Sequence, residues 1–170
     1  KSADLLSYEE VRSKLNAKET NLRQLKDIPL DAIAGSVGRY SDFSRRFFPL
    51  QEENENRWAR VRLQAESLDG LPPIEAFQIG EAYFVIDGNH RVSVARSLGA
   101  THIEGYVTQV LSDVPLSAEI NPDDLIIAER YTNFLDNTQL KQIDPQLDMR
   151  MSAAGNYRFL ERQIRVHQEL

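Results

Sequence analysis

Apolar positions recur at two different periods along this chain, and the change of period separates strands from helices. Ala82-Tyr83-Phe84-Val85-Ile86 is an unbroken apolar run of strand length, bounded by Gly80-Glu81 before it and Asp87-Gly88 after it. Ile74 to Phe77 lies just before the Gly80-Glu81 turn and predicts the partner strand of a hairpin. Ile103 to Val110 alternates apolar and polar residues and predicts a third strand. Ile28-Pro29-Leu30-Asp31-Ala32-Ile33 alternates as well, and Pro29 places it at a sheet edge or a strand start. Gly35 to Tyr40 then reads as a glycine-containing turn.

Helical spacing appears in between. Ser7-Tyr8-Glu9-Glu10 has the form of a capping box, and Val11 and Leu15 continue it as an apolar stripe. Asn16 to Thr20 is polar and is expected to be a connector. Asp42 to Phe48 predicts a short helix ended by Pro49. Glu52 to Leu68 places Trp58, Val61, Ala65 and Leu68 on one face, and Asp69-Gly70 and Pro72-Pro73 stop it. Asn89 to Leu98 aligns Val92, Ala95 and Leu98, with Gly99 as the residue past its end. Beyond Val110 the prolines at 115, 122 and 145 punctuate two further helical stretches, Asp123 to Leu135 and Asn156 to His167. The expected organisation is a helical segment over residues 1–27, an α+β domain over 28–110 and a helical extension over 111–170.

Composition narrows the function classes. The 170 residues are 41% hydrophobic and 27% charged, as expected of a folded domain. No apolar run is long enough to span a bilayer, and the N-terminal residues are too polar for a signal peptide, so a cytoplasmic location and no membrane partner are expected. There is no cysteine, which removes thiolate nucleophiles, disulfides and Cys-based zinc sites. The formal charge is −6, which disfavours DNA as a partner, because duplex binding draws on phosphate neutralisation by basic residues. The helical segments are candidates for a homodimer contact.

The residues that carry chemistry are Asp87-Gly88-Asn89-His90-Arg91, at the passage from the apolar strand into the helix. Gly88 lets the backbone approach a ligand closely. The first helical amides lack intrahelical acceptors, and with the positive end of the helix dipole they form an anion site. Arg91 adds a guanidinium suited to phosphate, and His90 a further donor. Asp87 and Asn89 are placed to position a metal-bound water or a hydroxyl. Asp87 is therefore the candidate for a base or metal ligand. The competing interpretation is an ordinary capped helix, in which Asp87 or Asn89 serves as the cap and Arg91 forms an internal salt bridge.

The stretch VIDGNHRVSVARSLGATHIEGYV resembles the core of the ParB/sulfiredoxin superfamily, in which a Gly-X-(His/Arg)-Arg turn opens a helix followed by Ala and Leu-Gly. IPLDAIAGSVGRY is similar to that superfamily's first strand and following loop. The resemblance covers residues 28–110, and the whole chain resembles bacterial proteins with a ParB-like domain. It implies a ParB/sulfiredoxin-like α+β domain with a small mixed sheet flanked by helices. It also implies that Gly88, His90 and Arg91 grip nucleotide phosphates, with Ser36, Arg39 and Tyr40 of the first loop helping. Members include CTP-hydrolysing DNA clamps, an ATP-dependent reductase of oxidised cysteine and a free-serine kinase. Asn89 stands where sulfiredoxin has its cysteine and ParB a glutamate. Sulfiredoxin chemistry is thus excluded for want of a thiol, and asparagine cannot replace a general base.

The expected function is nucleotide or phosphate-ligand binding at the 88–91 turn. A nucleoside triphosphate with Mg2+ is the expected cofactor, and hydrolysis or phosphoryl transfer the expected reaction if there is one. The alternatives are a DNA-associated ParB-like regulator and a binding module without catalysis. Other features read more plainly. Arg45 and Arg46 beside Phe47 and Phe48 fit core phenylalanines with solvated arginines better than a nucleic-acid surface. Arg57, Arg60 and Arg62 form the wet side of the Trp58 helix, and Arg158, Arg162 and Arg165 a solvated stripe. His102 and His167 show no metal-ligand spacing.

Overall fold

The computed structural model describes residues 4–38, 41, 43–45, 47, 52–66, 70–150 and 155–168. Strands β1 (Leu6–Ser7), β2 (Lys18–Pro29), β3 (Ile33–Ser36), β4 (Ile74–Ile79), β5 (Ala82–Asp87) and β6 (His102–Leu111) form one sheet in the order β1-β3-β5-β4-β6-β2. The sheet is mixed. Parallel pairing joins β1 to β3, β3 to β5 and β4 to β6, while β4–β5 and β6–β2 are antiparallel. Among the described residues six helices accompany it: α1 (Tyr8–Lys14), α2 (Glu52–Ala65), α3 (Asn89–Ser97), α4 (Pro122–Thr138), α5 (Leu140–Ile143) and α6 (Gly155–Gln168). This is an α+β fold with a mixed sheet, flanking helices and a C-terminal helical extension, as the sequence leads one to expect.

Alternation along the strands sends side chains to two separate cores. Ala82 and Phe84 of β5 face one side, where Tyr8 and Val11 of α1, Tyr131 and Phe134 of α4, and Tyr157 of α6 close the layer. Tyr83 and Val85 face the other, where Val92 and Ala95 of α3 pack with Phe43, Phe47, Ile74 and Val107. Tyr8 lies flat on Phe77 with ring centroids 4.4 Å apart. Helix α2 packs along the outside of α3. The expected hairpin β4–β5, strand β6 and helices α3, α4 and α6 are all present.

Several expectations change. The expected connector at 16–20 gives way at Lys18 to β2, which runs to Pro29 and therefore crosses position 27/28, the expected edge of the α+β domain. Its residues are mostly exposed on both faces, so they carry no apolar alternation to betray a strand. Its register is set by β6, with Leu25 opposite Tyr106 and Ile28 opposite Ile103. The strand expected from Ile28 to Ile33 is broken by a 3-10 turn at Leu30–Ala32. That turn is held by the Leu30 amide donating to the Thr101 carbonyl at 2.9 Å and by Arg96 Nη2 donating to the Leu30 carbonyl at 2.6 Å. Gly35 sits in β3 rather than in a turn, and a Cβ there would clash with the Leu6 carbonyl oxygen on the paired strand. The short helix expected at 42–48 is not formed at its described positions. Ser44 bridges to Asp4, and Phe47 has φ 60°, outside the helical region. The helix expected to reach Leu68 ends at Ala65.

Candidate functional site

Strand β5 and helix α3 are joined by a single residue, Gly88, whose φ is 115°. An L side chain is strained there, and its Cβ would also lie 2.5 Å from Ile74 Cγ2. Glycine thus lets the chain turn from the sheet into the helix while pressed against β4. Helix α3 starts at a glycine, which has no side chain to cap it. In front of that start is a cleft of about 280 Å³ lined by Ile86, Asp87, Gly88, Asn89, His90 and Arg91, with Arg57 and Val61 of α2 as the facing wall. Larger cavities exist. One of about 530 Å³ lies between β1, α1 and α4, lined by Leu5, Leu6, Phe43, Leu125 and Ile126 among others. Its surface is mostly apolar, although Asp4, Glu10 and Lys14 also line it, whereas the smaller cleft is mostly polar.

Each predicted site residue has a distinct place. Asn89 is buried, and its Oδ1 accepts from Ser36 Oγ at 3.0 Å. Ser36, fully buried, also lies 3.2 Å from the Val85 carbonyl, so one hydroxyl proton is shared between two acceptors. Together they tie β3, β5 and the first residue of α3. His90 is 5% exposed, and its ring meets Phe43 edge-on at 5.0 Å. The imidazole is thereby part of the packing under the helix. Arg91 Nη1 donates to the carbonyls of Pro73 at 2.6 Å and Pro72 at 3.2 Å, and Nη2 donates to Asp87 Oδ2 at 2.8 Å. Its side chain is 16% exposed against 75% for Asp87. The internal salt bridge of the competing interpretation is therefore formed, while the cap it also called for is not. Arg39 and Tyr40 lie outside the described residues.

Arg57 is a residue that sequence reasoning assigned only to the wet side of a helix. Nothing local marks it, because its position at the cleft depends on how α2 packs on α3. Arg45 is drawn inward, its Nη1 donating to the Ala34 carbonyl at 2.7 Å. Burial, and secondarily the nearby Arg96 charge, lower its pKa from the ordinary arginine value. Phe47 is fully buried, whereas Arg46 and Phe48 lie outside the described residues. Arg158, Arg162 and Arg165 are exposed on α6, with Arg165 pairing to Glu161 at 2.8 Å. Among the described residues, no three His, Asp or Glu side chains converge as a metal site.

No family model matches the chain, and no curated protein matches it. Among solved structures it is similar to sulfiredoxin from Arabidopsis thaliana, with 15% identity and a TM-score of 0.39, over 51% of this chain and 85% of that one. That likeness is a distant one of fold, and nothing about the cleft is carried over from it.

Proposed function

We propose that the chain binds a small phosphate-bearing ligand at the N-terminus of α3, with backbone amides as the principal donors and Arg57 as the facing cation. The observation that carries this reading is the glycine-led helix start opening into a polar cleft bordered by a second helix. It differs in one respect from the motif as read in sequence. His90 is packed inward, and Arg91 spends one of its two terminal nitrogens on the Pro72 and Pro73 carbonyls, so neither side chain is the main ligand contact. A nucleotide, with or without Mg2+, is a specific form of this ligand class.

The reading is one of binding without catalysis. Asn89 spends its carbonyl oxygen on Ser36, and Asp87, the only carboxylate lining the cleft among the described residues, is ion-paired to Arg91. Neither is placed as a free general base.

A thermal-shift panel of inorganic phosphate, pyrophosphate, ATP, CTP and GTP, with and without Mg2+, tests the proposal, since a ligand bound only by the folded state raises Tm. At least one phosphate compound is expected to shift Tm at millimolar concentration. Arg57→Ala is expected to weaken that ligand about threefold to tenfold at low salt, with less effect as ionic strength rises. Arg158→Ala, on the distant α6, should leave it unchanged. A panel with no shift for any compound refutes the proposal.

A further inference from the structure

We infer that Asp87 is the specificity-determining residue of this cleft, an internal carboxylate that holds Arg91 and yields it to an entering anion. The inference rests on the anion-binding reading above. Asp87 and Arg91 both line the cleft, and the pair bridges the glycine at which strand becomes helix. The two ends of the pair are not alike. The guanidinium is anchored through Nη1 to the backbone at Pro72 and Pro73, by bonds that do not involve Asp87. Only Nη2 is engaged by the carboxylate, at 2.8 Å.

Asp87 itself is 75% exposed, so it leaves the guanidinium at little desolvation cost. An ion pair with so solvated a partner contributes little to folding, and its position is better explained by its effect on charge at the cleft. Arg57, Arg91 and the helix start are positive there, and Asp87 is the opposing charge. A bare phosphate dianion must approach this carboxylate and compete with it for Nη2. The ligand favoured by such an arrangement is one whose negative charge is partly offset by its own substituents, and the bare dianion is admitted weakly.

The test titrates wild type and Asp87→Asn with inorganic phosphate by calorimetry at low ionic strength, in metal-free buffer and again with Mg2+. Asp87→Asn is expected to bind metal-free phosphate about tenfold more tightly, the scale of one like-charge contact removed near a protein surface. Asp87→Glu, which keeps the charge, should stay close to wild type, and Asp87→Ser should reproduce the gain if the amide itself is not the cause. Unchanged or weaker phosphate binding by Asp87→Asn, with wild type binding measurably, overturns the role of Asp87 and leaves the binding site standing. Mg2+-dependent binding by wild type that Asp87→Asn loses also overturns it, and makes the carboxylate a cation ligand. Binding by neither protein overturns the site and this inference together.

Discussion

Where α4 starts, Asn121 Oδ1 accepts from the Asp124 amide at 2.9 Å and Asp124 Oδ2 accepts from the Asn121 amide at 3.3 Å, while Pro122 occupies a first-turn position that needs no donor. Where α3 starts, a left-handed glycine leads in and supplies no cap, and the neighbouring carboxylate of Asp87 turns to Arg91. Both helices pack on the same sheet, so the contrast is not one of burial or of fold. The first helix caps its own positive end. The second begins at a glycine beside a cleft. The comparison teaches that the form of a helix start is a property of its particular residues, since this chain builds a capped one elsewhere.

The largest effect that would break this contrast comes at Gly88. Gly88→Val is expected to destabilise the protein by about 3 kcal/mol, because a branched side chain meets Ile74 and the backbone lies in the left-handed region. Urea denaturation measures it, and a midpoint equal to wild type would show that the joint is not constrained as described. Arg91→Ala follows, with a loss of about 2 kcal/mol, since the Pro72 and Pro73 carbonyls and Asp87 lose their shared donor. Arg91→Lys should restore only part of this in the same assay, because one ammonium cannot span both sides of the fork. The smallest change sharpens the comparison from the other helix. Asn121→Ala is expected to cost about 1 kcal/mol through loss of the α4 cap, with phosphate affinity unaltered. A change in phosphate affinity on that substitution would deny that the two helix starts act independently.

Much of the fold was legible along the chain. The run at 82–86 and the Gly80-Glu81 turn are a hairpin, and the residues from Asn89 onward are a helix entered through glycine. The candidate site was legible only as a segment. Its members are contiguous, and their association with a turn and a helix start follows from local geometry. What each side chain does there was not legible. Asn89 meets Ser36 of β3, His90 meets Phe43, and Arg91 meets the chain before β4. Arg57 reaches the cleft from a different helix altogether. Strand β2 escaped detection because a polar strand exposed on both faces has no period to read.

Taken alone, the order of residues determined the periodicities, the turns and the glycine that opens α3, because each depends on neighbours within a few positions. Tertiary structure decided which strand lies at the sheet's edge, which face α2 turns to the cleft, and whether Arg91 offers its charge to a ligand or to its own backbone. Those outcomes depend on contacts between residues far apart in the chain, and such contacts exist only once two cores have closed on opposite faces of one sheet.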